Sequence, residues 1–285
     1  MEKPRMPHLD KAIGIPKEHI NEQQEKFEDF LTNQFTEFGS EKIENYELEK
    51  TQEDIELINF AQNAVDDYLE KYNRVKKVMI PLENVHVLKE ESIKEMTYGR
   101  IVGGMHSTID GNVLIEKPRD KVNFSLKIFH ELMHAKSFTA IQVTHGGIKK
   151  ESRIIPYRVG FSVTSRDGNK IYFEDVNEAI VGILTERFFK EYIEKNYLFK
   201  DELQKMKEKN TPIKLSRQRE IQKGLEYIKE LHELNKDVYS LEDVANIFIE
   251  AGVNGNLLKV ARLIEDTFGK GSFRALGEVT GRIMK

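Results

Sequence analysis

The stretch FHELMHAKSF, Phe129–Phe138, places His130 and His134 four residues apart, with Glu131 directly after the first. It lies in a run with helical periodicity, from about Asn123 to Thr139, in which Phe124, Ile128, Leu132 and Ala135 share one apolar stripe. The two histidines fall on the opposite side, one turn apart, where two imidazole nitrogens can converge on a single ion. Glu131 sits about a fifth of a turn round from them, placed to reach a water at the metal rather than the metal itself. Two nitrogen donors with an adjacent base are what hydrolysis by a zinc-activated water requires. The competing reading is a structural pair. A helix that is apolar nearly all round, however, seldom buries two histidines and a glutamate without partners.

A catalytic zinc takes three protein ligands and keeps a fourth position open, so a third donor is needed. The chain has no cysteine, which removes disulfides, thiolate nucleophiles and thiolate ligands together. Ala140 occupies the position six residues after His134 where an extended motif carries a third histidine. His145, beside Gly146 and Gly147, reads as a loop residue and is a minor candidate. The better one is Glu178 in DVNEAIVGILTE, one turn before Gly182, whose missing side chain would let that helix face approach the metal helix closely. Glu174 shares the face one turn earlier and competes with it.

On either side of the motif the pattern changes from helix to strand. YGRIVGGMHSTI and NVLIE flank Asp110 and Gly111 and read as a β-hairpin. ESRIIPYRVGFSVTS alternates through Tyr157, Val159, Phe161 and Val163, turns at Asp167, Gly168 and Asn169, and returns as KIYFE. A long helix follows from about Glu174 to Tyr197. Helical periodicity also covers Asn21 to Tyr72 with a break at Phe38, Gly39 and Ser40, Lys200 to Asp237 with a break at Asn210, Thr211 and Pro212, and then Leu241–Ala251 and Asn254–Phe268. The expected class is α+β. A small twisted sheet plus an active-site helix occupies 75–199, between an N-terminal helical segment, 1–74, and a C-terminal helical subdomain, 200–285.

With 44 basic and 48 acidic residues, net charge -4, the chain has no global field that attracts nucleic acid or anionic lipid. No apolar span suits a membrane, and the first residues carry no secretory signal pattern, so a cytoplasmic location and no membrane partner are expected. The basic run KLSRQREIQK, Lys214–Lys223, has acidic flanks and no interleaved aromatics, and reads as a solvated helix face. FGKGSF at 268–273 lacks the Lys-Ser/Thr ending of a phosphate loop and reads as a helix-to-helix turn. A di-iron bundle is excluded because it needs a second Glu-x-x-His on another helix and none is expected there: Lys229 stands three residues before His232. Nothing signals an oligomeric state.

HELMH at 130–134, followed by Asn177, Glu178 and Ala179, resembles the gluzincin metallopeptidases, whose third zinc ligand is a glutamate on a second helix, often within an Asn-Glu pair. The resemblance spans about Val75 to Tyr197. It implies a zincin-like core, one zinc per chain bound by His130, His134 and Glu178, Glu131 as general base and acid, and a peptide or protein substrate. It further implies that the GGMHSTI or NVLIE strand pairs with the substrate backbone. The chain departs from the thermolysin-like pattern at Gly182, where an acidic residue would orient a zinc-bound histidine; Glu174, Asp175 and Glu186 are the alternatives. Tyr157 is the candidate for stabilising the oxyanion. The alternative function is a zincin-fold protein without catalysis, acting as a binding or regulatory module.

Overall fold

The computed structural model describes residues 10–13, 43–72, 74, 79–96, 103–108, 111–144, 153–213 and 217–283. It is a mixed α+β structure. Strand β1 (Lys11–Ile13) precedes helix α1 (Gln52–Lys71), strand β2 (Val85–Leu88), short helix α2 (Ser92–Met96), and the pair β3 (Gly104–His106) and β4 (Val113–Glu116). The motif helix is α3 (Lys121–Lys136). Strands β5 (Thr139–Thr144), β6 (Arg153–Val159), β7 (Ser162–Thr164) and β8 (Lys170–Tyr172) lead into α4 (Glu174–Phe188). Then come α5 (Lys200–Glu208), α6 (Gln218–Asn235), α7 (Leu241–Asn254), α8 (Leu258–Phe268), α9 (Ser272–Val279) and strand β9 (Arg282–Ile283). The first of the two helices expected upstream of Tyr72, and His145, lie outside the described residues. No helix among them is long and apolar enough to cross a membrane.

The sheet beside the motif has the order β2-β4-β3, with β2 parallel and β3 antiparallel to β4, so β3 is an edge. Alternation along the strands sorts the side chains into two faces. Val85, Val87, Val113 and Ile115 join the main core, while Leu88, Leu114 and Met105 join a small cluster with Ile43 and Ile93 on the other side. The expected hairpin is therefore present, with Gly111 supplying a φ of 71° at its turn. The larger sheet has the order β1-β5-β6-β7-β8-β9, antiparallel except for β1 with β5.

Three elements differ from the sequence expectation, one being the long helix from Glu174, whose α-helical part ends at Phe188 and passes into a π-helical turn at Phe189–Ile193. The motif helix stops at Lys136, where the Ser137 hydroxyl donates to the Met133 carbonyl at 2.7 Å, and the β-branched run from Thr139 then forms β5. The alternation from Tyr157 to Val163 is not one strand: Gly160, at φ 57°, turns the chain so that β6 and β7 pair with each other. Phe161 keeps the apolar rhythm across the turn because it is buried, its ring 5.6 Å from Phe248 of α7.

Helix α3 is capped by the Asp120 carboxylate, which accepts the Asn123 N–H at 2.7 Å, and it is buried on nearly every face. Its Phe129 ring stacks on Phe188 of α4 at 4.3 Å and meets Tyr68 of α1 edge-on at 5.7 Å. A buried ion pair, Lys136 to Asp66 at 2.8 Å, ties its C-terminal turn to α1. With α1, α4 and the small sheet packed around it, α3 presents the two histidines to α4 rather than to bulk solvent.

Candidate metal centre

The structure brings His130, His134 and Glu178 together. His130 Nε2 and His134 Nε2 are 3.2 Å apart, and Glu178 Oε2 lies 3.2 Å from the first and 3.5 Å from the second. Zinc held at ~2.0 to 2.1 Å by tetrahedral ligands has its ligand atoms about 3.3 Å apart, so the triangle has the edge lengths of three such positions. All three residues are buried. The donor set, two imidazole nitrogens and one carboxylate oxygen, suits zinc and related divalent metals.

Glu178 reaches the histidines because the start of α4 is fixed from three directions. Phe173 sits at φ 61°, a conformation costly for a residue with a Cβ, and its N–H donates to the Gly277 carbonyl at 3.2 Å. Asp175 N–H donates to the Thr280 carbonyl at 2.9 Å, and Asn177 Oδ1 accepts the Phe161 N–H at 2.7 Å. Gly182 does not serve the approach of α4 to the metal helix, as its position suggests; a Cβ there would fall 2.8 Å from Ile221 Cγ2 of α6. Gly224 of α6 lies equally close to the Asp175 carbonyl and Ala179, so the two glycines draw α6 onto α4.

That approach matters because Arg217, the residue just before α6, sits at φ 53° and donates from Nη1 to Glu178 Oε1 at 2.7 Å. One carboxylate oxygen is thereby occupied, and only Oε2 faces the histidines. Burial would raise the Glu178 carboxyl, but His134, Arg217 and the histidine hydrogen bonds together hold it well below the usual carboxylate range. Burial likewise opposes the charged form of His134, and the nearby Glu178 and then Glu131 outweigh it, raising the imidazole above its ordinary value.

The outer ring nitrogens have unlike partners. Thr185 gives its hydroxyl proton to the Val181 carbonyl at 2.7 Å, so its oxygen, 3.4 Å from His130 Nδ1, is an acceptor. His130 then carries its proton on Nδ1 and turns the Nε2 lone pair to the centre. At His134 the atom facing Nδ1, at 3.3 Å, is Asn177 Nδ2, a donor, because the amide oxygen is committed to Phe161. Glu131 is only 3% exposed, and its carboxylate makes no hydrogen bond or ion pair among the described residues. It lies flush against β3: a Cβ on Gly104 would fall 2.7 Å from Glu131 Oε1. A buried carboxylate without a partner, beside three convergent donors, fits a site that also holds a cation.

The rival candidates are placed elsewhere. Glu174 pairs with Arg282 at 3.0 Å and Arg217 at 3.6 Å, Asp175 with Lys223 at 3.4 Å, and Glu186 with Lys190 at 2.7 Å on the exposed surface. None of the three orients a histidine; Thr185 and Asn177 occupy those positions. No hydrogen bond joins Tyr157 to the triad among the described residues. Arg217 belongs to the run read as a solvated face, yet its side chain lies against buried Glu178, and Ile221 in the same run is buried under Gly182. The FGKGSF bend is a helix-to-helix turn, with Gly269 and Gly271 both at positive φ and nothing packed against them. A second residue not anticipated from sequence is His106 of β3. Its Nε2 is buried without a hydrogen-bond partner among the described residues, and burial, with a smaller contribution from His134, pushes the imidazole down to about 3. The available signal was strand alternation, which places His106 on the same face as Gly104.

No family model, curated protein or solved structure matches this chain.

Proposed function

We propose that the chain is a zinc-dependent metallopeptidase of gluzincin type. His130, His134 and Glu178 hold one zinc ion and Glu131 is the general base. The observation that supports this most directly is the buried triangle of donor atoms, 3.2, 3.2 and 3.5 Å on its edges, with an unpaired carboxylate beside it. Bound zinc supplies Lewis acidity, polarising the scissile carbonyl and acidifying water.

The remaining steps belong to the chain's own residues. Glu131 takes a proton from the attacking water onto its free carboxylate and returns it to the leaving nitrogen. Gly104, packed against Glu131 Cγ and Oε1, limits where that carboxylate can swing. Arg217 holds Glu178 to a single donor oxygen, and Thr185 holds His130 in the tautomer that donates through Nε2. Among the described strands β3 is an edge, and its backbone at Gly104, beside Glu131, is placed to pair with an extended peptide.

The test is metal content together with peptide cleavage for wild type, Glu131→Gln and His130→Ala. Wild type and Glu131→Gln should each hold one equivalent of zinc. Cleavage by Glu131→Gln should fall by roughly 10²- to 10⁴-fold, and His130→Ala should lose the metal. One equivalent of zinc without cleavage of any peptide or protein offered would favour the non-catalytic binding module. Undiminished zinc in His130→Ala would leave the triangle with a structural role only.

A further inference from the structure

We infer that His106 is a catalytic residue of this site, donating a hydrogen bond from Nε2 to the oxyanion that develops on the scissile carbonyl. The inference rests on the metallopeptidase reading above. Strand β3 runs alongside α3 in the same direction: a Cβ on Gly103 would meet Lys127, and one on Gly104 would meet Glu131. Met105 turns away into the small cluster with Leu114 and Ile93, so Gly104 and His106 share the face toward α3. Two strand residues rise about 6.6 Å, the length of four to five helix residues, so His106 lies level with the turn of α3 after Glu131, the turn of His134, whose charge it feels.

The Nε2 atom there is buried and has no partner among the described residues. Buried polar atoms in native structures are nearly always paired, and an orphan at a site points to a partner supplied by the ligand. His106 is not a fourth zinc ligand as placed. Among the described residues only His130, His134 and Glu178 offer ligand atoms that all lie within 4.8 Å of one another, whereas a fourth tetrahedral ligand would stand about 3.3 Å from each. It occupies a position outside the donor triangle, where a substrate oxygen can come between. A neutral imidazole there has one N–H to give and transfers no proton. As the water oxygen bonds to the carbonyl carbon, the π pair moves onto the carbonyl oxygen and Nε2–H stabilises it. When the adduct collapses, the C–N bond breaks and the nitrogen takes the proton held by Glu131.

The experiment compares zinc-loaded wild type, His106→Phe and His106→Gln. Cleavage of a fluorogenic peptide is read beside calorimetric binding of an N-capped dipeptide phosphonamidate, a stable tetrahedral anion. The visible spectrum of the cobalt-substituted proteins is the third readout. His106→Phe should keep one metal per chain and the wild-type cobalt spectrum, yet lose kcat by roughly 10²- to 10³-fold, the range for removing one oxyanion donor. Its KM should be unchanged, and phosphonamidate affinity should fall in step with kcat/KM. His106→Gln retains an N–H donor and should recover part of both losses. An altered cobalt spectrum or metal content in both variants would make His106 a ligand and overturn the inference. Unchanged kcat and phosphonamidate binding in His106→Phe would also overturn it. Wild type that binds no zinc, or Glu131→Gln that still cleaves, overturns the parent reading and this one with it.

Discussion

Replacing Asn177 by Asp tests how the second imidazole is held. Asn177 Oδ1 accepts the Phe161 N–H at 2.7 Å, which fixes the amide nitrogen against His134 Nδ1 at 3.3 Å. A His134 that gives Nε2 to zinc carries its proton on Nδ1, so donor then faces donor. An aspartate of nearly the same shape accepts from both Phe161 and His134 and completes a carboxylate-histidine-metal arrangement. Outer partners of this kind change metal affinity by about 10- to 100-fold, or roughly 1.4 to 2.8 kcal/mol. Against that gain stands a third buried carboxylate beside Glu131 and Glu178, so the expected tightening is at the lower end, about tenfold. Competition with a chromophoric chelator measures it directly. The metal-free variant should melt below metal-free wild type, because the added charge then has no cation to offset it, while zinc should raise its melting temperature more than it raises that of wild type. Weaker or unchanged zinc binding in Asn177→Asp would refute the reasoning. It would mean that the amide turns round when the metal binds and that the Phe161 contact does not hold it.

Three further outcomes are expected. His106 has a folded pKa near 3 against about 6.5 unfolded, so the unfolded chain binds the extra proton first and stability is lost as pH falls from 6.5 toward 3. At pH 5 the loss from this group is about 2 kcal/mol, and urea unfolding at pH 7.5 and 5 should show a smaller difference for His106→Gln than for wild type. Gly224→Ala puts a Cβ 2.3 Å from the Asp175 carbonyl oxygen and 2.5 Å from Ala179, which forces α6 off α4. It should cost at least about 1 to 3 kcal/mol, and it should also weaken zinc binding, because the Arg217 to Glu178 contact depends on that approach. Lys136→Met leaves Asp66 buried without its partner and should cost about 3 kcal/mol in denaturant titrations, much of it recovered in the double variant with Asp66→Asn.

What the sequence makes legible here follows from range. His130, Glu131 and His134 are separated by at most one helical turn, and local periodicity alone decides which face they share. Glu178 is reachable by elimination of other donors, but the glycine face beside it belongs to the packing of α4 on α6 and not to the metal helix. Arg217 is illegible for the opposite cause. It lies 39 residues from the carboxylate it holds, in a run whose charges otherwise face solvent, and only the crossing of two helices at Gly182 and Gly224 brings it inward. The β6-β7 turn is hidden because Phe161 continues the alternation while the chain reverses, its N–H taken by a side chain sixteen residues away on α4.

The charges so assembled also limit the chemistry. Glu178 and Arg217 neutralise each other at 2.7 Å, and the imidazoles of His130 and His106 need carry no charge to do what is assigned to them. Glu131 makes no ion pair among the described residues, although Arg217, His134 and Lys127 feel its charge. On the proposed reading, a divalent ion held by the triangle would leave Glu178, Arg217, Glu131 and the ion one unit positive together, and two units positive with Glu131 protonated. The centre would then be most positive when the carbonyl oxygen is most negative, the field growing with the proton transfer proposed for Glu131. A direct ion pair from Arg217 to Glu131 would cancel that change. The structure instead commits Arg217 to Glu178 and leaves Glu131 without an ion pair among the described residues.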